Sequence, residues 1–141
     1  MRISRDEWGL RLAQITSLRS TCLRRQVGCI LTDSRGIVLA TGFNGVPAGL
    51  PHCNEGYPCP GAEAPSGQAL DQCRAIHAEQ NALIQLTRPY EVETVYTTTF
   101  PCTHCIKMLM NTSASRIVYL EEYSHNEAQE LWRGESLRVT L

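Results

Sequence analysis

The chain has 141 residues, a size at which one domain can bury a continuous core, so a single domain over residues 1–141 is expected. With 43% apolar residues, 19% charged residues and a net charge of −1, it is balanced like a soluble protein and has no general attraction for phosphate backbones or anionic membranes. Nucleic-acid and membrane partners are thereby disfavoured, and no stretch approaches the length of a transmembrane helix.

Residues 5–20 mix Trp8, Leu10, Leu12, Ile15 and Leu18 with charges and predict an amphipathic helix. The same segment lacks the apolar run of a signal peptide, so a cytoplasmic location is expected. Two β-rich runs, 27–32 and 37–43, flank the turn signal Asp33-Ser34-Arg35-Gly36 and predict a hairpin. From Asn44 to about Cys73 the chain is rich in Gly, Pro and Cys without an apolar period, which predicts a long loop. There follow a helix over 75–87, a strand over 92–99, a helix over 102–112, a strand over 116–121, a helix over 125–132 and a short strand near 137–140. In the first of these helices Ile76, Leu83, Ile84 and Leu86 are placed to face a core. A hairpin followed by alternating helices and strands predicts an α/β domain with helices over both faces of a mixed sheet.

Seven cysteines in a chain expected to be cytoplasmic point to metal binding or catalysis more than to disulfides. Two short motifs carry that chemistry, His77-Ala78-Glu79 and Pro101-Cys102-Thr103-His104-Cys105, and each falls where a predicted helix begins. Cys102 and Cys105, three apart, share one helix face, and the positive end of the helix dipole favours them as thiolates. His77 adds a nitrogen ligand from another helix, so three side chains can hold zinc and leave a fourth tetrahedral position open to water. Glu79 projects from a different side of its helix than His77. It suits a general acid/base that takes a proton from water and passes it to a leaving nitrogen, not a ligand. Either motif alone would read as a capped helix with core cysteines; together, in this order, they form the signature of zinc deaminases of nucleobases.

With these residues in place the sequence resembles the cytidine deaminase superfamily and, within it, the deoxycytidylate (dCMP) deaminases. The resemblance runs from about Cys22 to Tyr123 and is carried by CLRRQVGCIL at 22–31, GFNGVPAGLPHC at 42–53, HAEQNAL at 77–83 and FPCTHCIKML at 100–109. It implies a three-layer α/β/α fold around a mixed five-stranded sheet, and zinc-dependent hydrolysis of dCMP to dUMP and ammonia. It also implies a homo-oligomer, often hexameric, and a sugar contact from Asn44, which otherwise reads as part of an Asn-Gly turn. Arg24 and Arg25, just before the first strand, are candidates for the substrate phosphate, with Lys107 and Arg116 behind them. Phe100 and Tyr123 are candidates for lining the pyrimidine pocket. In dCMP deaminases the Gly-rich segment is associated with regulation by dCTP and dTTP, which makes Gly42, Asn44 and Gly45 candidate effector contacts.

Of the remaining cysteines, Cys29 lies in an apolar strand and reads as a small buried residue. Cys22, Cys53, Cys59 and Cys73 flank or occupy the long loop and would complete a closed zinc shell, with His52 as a substitute ligand. Some members of the resembling family carry such a structural zinc on cysteines matching Cys22 and Cys53. Unconnected thiols, or a disulfide in another compartment, are the alternatives. For function, the competing readings are a zinc deaminase acting on cytidine, CMP, dCTP, guanine or tRNA adenosine, and a non-catalytic zinc-binding module.

Overall fold

A computed structural model describes residues 1–22, 24–52, 75–123 and 127–141. Helix α1 (Arg5–Ser17) starts at Ser4, whose hydroxyl accepts from the Glu7 amide at 3.0 Å, and Asp6 and Glu7 complement the first turn. Strands β1 (Gly28–Thr32) and β2 (Val38–Phe43) form the expected hairpin. Gly36 closes its turn at φ 85°, a conformation in which glycine carries no steric cost.

From residue 75 on, the described residues alternate as predicted: α2 (Ala78–Gln85), β3 (Thr94–Thr99), α3 (Thr103–Met110), β4 (Arg116–Glu121), α4 (Glu127–Leu131) and β5 (Glu135–Arg138), while most of the expected loop lies outside the described residues. Among the described residues the sheet has five strands in the order β2-β1-β3-β4-β5. The β1 pairings with β2 and β3 are antiparallel, while β3–β4 and β4–β5 are parallel, so the sheet is mixed.

Helix α1 covers one face, where Leu10 and Ala13 pack on Ile30, Tyr96 and Val118. On the other face Cys29, Leu31 and Val95 meet Ala78, Ala82, Ile106 and Leu109 of α2 and α3, with Ala128 of α4 in the same cluster. Cys29 is fully buried in β1, as expected of a small apolar residue there. The side of α2 turned to the sheet differs from expectation: Ala78 and Ala82 face inward, and Ile84 is 73% exposed. The cause is a close approach to β2, since a Cβ on Gly42 would stand 2.2 Å from the Ala78 carbonyl oxygen. Only small residues fit that seam, so Ile84 turns to solvent, while Leu83 and Leu86 pack against the core as expected.

Strand direction fixes what can meet. The start of β1 and the ends of β2, β3 and β4 lie at one end of the sheet, which gathers Arg24 and Arg25, Asn44, Cys102 and Tyr123 there. Arg116, at the start of β4, lies at the opposite end. Its guanidinium grips Asp6 of α1 through Nη1–Oδ1 at 3.2 Å and Nη2–Oδ2 at 2.9 Å, so it is a structural tie and not a phosphate contact. The Tyr96 hydroxyl donates to the same carboxylate at 2.8 Å.

The hydrogen bonds from Arg116 are the main cause holding the Asp6 carboxyl below its ordinary 3.8. A depressed carboxyl contributes stability above its unfolded value and loses it as pH falls through the folded one. Asp6→Asn should therefore cost about 2 kcal/mol near neutrality. Chemical denaturation of both proteins across pH should show that difference shrinking below about pH 4.

Candidate active site

Two helix N-termini converge at the end of the sheet where β2, β3 and β4 finish. His77 is the N-cap of α2 and Cys102 the N-cap of α3, and both have extended backbone at ψ 154° and 171°. The His77 amide donates to Gln80 Oε1 at 2.9 Å, which fixes the turn that carries the imidazole. Cys105, in the first turn of α3, comes round to the same side as Cys102.

His77 Nδ1 lies 3.3 Å from Cys102 Sγ and 3.3 Å from Cys105 Sγ. All three donor atoms fall within 4.8 Å of one another, the one such cluster among the described residues. Tetrahedral zinc, with Zn–S about 2.3 Å and Zn–N about 2.0 Å, separates S and N by about 3.5 Å, so the spacing fits the ion closely. The charges fit as well. Chiefly the Cys105 thiol beside it, and also His77, hold Cys102 as a thiolate down to about 4, against the opposing effect of burial. That thiolate and burial push Cys105 up in turn. The Cys102 thiolate also raises His77. Two thiols that compete for one negative charge both ionise once a divalent cation joins them. His77, Cys102 and Cys105 thus form a zinc-binding site.

Glu79 sits in the first turn of α2, 4% exposed, directly beside this cluster. Burial pushes its carboxyl above the ordinary 4.5. The Thr97 hydroxyl stands 3.4 Å from Glu79 Oε1 and donates to the Thr99 carbonyl at 2.8 Å. Strand alternation places Thr97 on the same face as Val95, under α2. Asn81 anchors the helix by donating from Nδ2 to the Phe43 carbonyl at 2.8 Å. Gln80, Asn81 and Thr97 were not anticipated, although Gln80 three residues after a helix N-cap is a recognisable capping pattern.

The other anticipated residues divide. Asn44, 8% exposed, spends its carboxamide on the main chain: Oδ1 accepts from the Val27 amide at 2.8 Å and Nδ2 donates to the Arg25 carbonyl at 2.7 Å. Phe100 is 1% exposed and meets Tyr119 edge to face, with ring centroids 5.0 Å apart, so it belongs to the core beneath the site. Tyr123 is half-buried, and its phenol is raised first by burial and next by the Cys102 thiolate, with Arg24 and Arg25 pulling it back. The tyrosine, the two arginines and the cysteine pair therefore share one electrostatic field.

Lys107 is exposed on α3. Gly42 lies against α2, and the Gly45 amide and carbonyl pair with Ile76 at 3.1 and 2.7 Å. Cys22 is a half-buried free thiol, and His52 Nδ1 lies 2.9 Å from the hydroxyl of its neighbour Thr21. Cys53, Cys59 and Cys73 lie outside the described residues.

A mixed sheet with two helix N-termini closing on a His/Cys/Cys zinc site is the arrangement of a cytidine deaminase-like α/β protein. Over residues 3–121 the chain matches the family described as the cytidine and deoxycytidylate deaminase zinc-binding region, and it belongs to that family. It is 35% identical to the deoxycytidylate deaminase of Saccharomyces cerevisiae over 90% of its own length, though it spans only 41% of that relative. It is also 35% identical to the deoxycytidylate deaminase of Mycobacterium phage D29, over 83% of this chain and 94% of the relative. The dCMP deaminase of cyanophage S-TIM5, solved in complex with dCMP and dUMP, superimposes with a TM-score of 0.77 at 25% identity over 99% of each chain. No helix among the described residues is long and apolar enough to cross a membrane.

Proposed function

We propose that the chain is a zinc-dependent dCMP deaminase, converting dCMP and water to dUMP and ammonia. The observation that carries this is the buried Glu79 carboxylate set beside a three-ligand zinc site, in a chain similar over nearly its whole length to the cyanophage dCMP deaminase. His77, Cys102 and Cys105 would hold zinc, which when bound would supply Lewis acidity to the attacking water. Glu79 takes a proton from the incoming water as its oxygen bonds to C4 of the pyrimidine. It passes that proton to N3, then takes the second from the new C4 hydroxyl and gives it to N4 as the C4–N4 bond breaks and ammonia leaves. Burial of Glu79 suits the proton-accepting half of that cycle, because a carboxyl raised above its ordinary value accepts a proton more readily. Arg24 and Arg25 give the 5′-phosphate its cationic partners, and Tyr123 flanks the base.

Other substrates are separated by a panel of dCMP, CMP, cytidine, deoxycytidine and dCTP. The fastest turnover is expected with dCMP, and faster turnover of unphosphorylated cytidine would contradict the assignment. A tRNA substrate is opposed by the net charge of −1. A non-catalytic zinc module has no use for a buried proton carrier at its metal.

The proposal extends to a cytosolic homo-oligomer and to a structural zinc held by Cys22, Cys53, Cys59 and Cys73, with His52 as substitute ligand. The contact of His52 with Thr21 supports this by bringing that imidazole beside the residue next to Cys22. Metal analysis of the purified protein should then return two zinc ions per chain, and a value of one removes the second site. Control by dCTP or dTTP has the least geometric support, because Gly42 packs on α2 and the Gly45 and Asn44 polar groups are bonded to main chain. Superimposable rate curves with and without the two triphosphates would remove it.

A further inference from the structure

We propose that Asn44 is a positioning residue for anion recognition, holding the Arg25 segment in place and so setting the preference for a substrate that carries a 5′-phosphate. The inference rests on the dCMP assignment and deepens it. Residue 44 makes three bonds to the strand entering β1: its amide donates to the Val27 carbonyl at 3.3 Å, Oδ1 accepts from the Val27 amide at 2.8 Å, and Nδ2 donates to the Arg25 carbonyl at 2.7 Å. The side chain thus continues the β1–β2 ladder past its last regular pair, Gly28 with Phe43. A carboxamide is suited to this, because it presents a donor and an acceptor from one short stem to an acceptor and a donor two residues apart. Aspartate offers only the acceptor, and alanine neither.

What the clamp holds is the main chain of Arg25. The Nη1 of Arg25 is buried and has no hydrogen-bond partner among the described residues. A buried guanidinium N–H calls for an acceptor, and a phosphate oxygen is the acceptor a guanidinium matches best. The Arg25 segment enters β1 at the end of the sheet where β3 leads to Cys102, so an anion there lies on the side of the fold that carries the zinc site. Asn44 acts through the backbone it ties down, so its loss should be felt where Arg25 is felt.

The test is steady-state kinetics on dCMP and deoxycytidine for the wild-type zinc-loaded protein and for Asn44→Ala, Asn44→Asp, Arg25→Gln and the Asn44→Ala/Arg25→Gln double variant, with zinc content and thermal melting measured on each. Asn44→Ala is expected to raise KM for dCMP about tenfold with little change in kcat, and to cost less on deoxycytidine. Asn44→Asp, which keeps the acceptor for Val27, should lie between, and it serves if the alanine variant melts early. The double variant should lose little beyond Arg25→Gln alone, since both changes break one function. Equal losses on the two substrates, or fully additive losses in the double variant, overturn the inference. Wild-type protein that turns over deoxycytidine as well as dCMP overturns the substrate assignment itself, whatever the variants show.

Discussion

Glu79→Gln is expected to lower kcat on dCMP by about 10²–10⁴-fold while the protein keeps its fold and its catalytic zinc. The amide matches the carboxylate in size, and its Oε1 can keep the place 3.4 Å from the Thr97 hydroxyl. Removing a buried carboxylate relieves a desolvation cost, and the lost interaction with the α2 dipole is worth only about 0.3–1 kcal/mol. Stability should therefore stay level or rise, which separates loss of proton transfer from loss of structure. Steady-state rates, zinc content and thermal melting on the same sample check it. Retained turnover would mean that another group moves the proton and would overturn the mechanism.

Cys102→Ser should abolish the catalytic metal and, with it, activity by more than ~100-fold. Serine is a good N-cap, so α3 keeps its start and the sheet its covering helix. What disappears is the thiolate that His77 and Cys105 help to hold ionised. A hydroxyl of ordinary acidity does not replace a soft anionic sulfur as a zinc ligand. Zinc analysis by metal-sensitive dye or mass spectrometry, alongside turnover, gives the result directly. A variant that binds zinc as wild type does would remove Cys102 from the ligand set.

Much of this site was legible because its chemistry is local. His77 and Cys102 each stand one residue before a helix, and periodicity located both helices to within a few residues, so the two motifs could be placed at helix starts. Strand β4 matched its apolar run, Arg116–Glu121, residue for residue. Mismatch came where tertiary contact decides. Ile84 looked like a core residue, but the Gly42–Ala78 approach turned a small-residue face inward, and no periodicity in α2 announces that seam. Arg116 looked like a candidate phosphate ligand because it is basic, yet strand direction puts it at the far end of the sheet, paired with a residue 110 positions away. The bonds of Asn44 to residues 25 and 27 had no sequence signal, because that pairing exists only once β1 and β2 are zipped together. Thr97 had no signal of its own beyond lying in a strand that alternates.

The most direct test is to incubate the zinc-loaded chain with dCMP and quantify dUMP and ammonia, before and after stripping the metal with a chelator and after adding zinc back. Equimolar dUMP and ammonia, lost on chelation and restored by zinc, is the predicted result. Zinc bound at His77, Cys102 and Cys105 with no dUMP formed, or dUMP formation that survives removal of the metal, would contradict it.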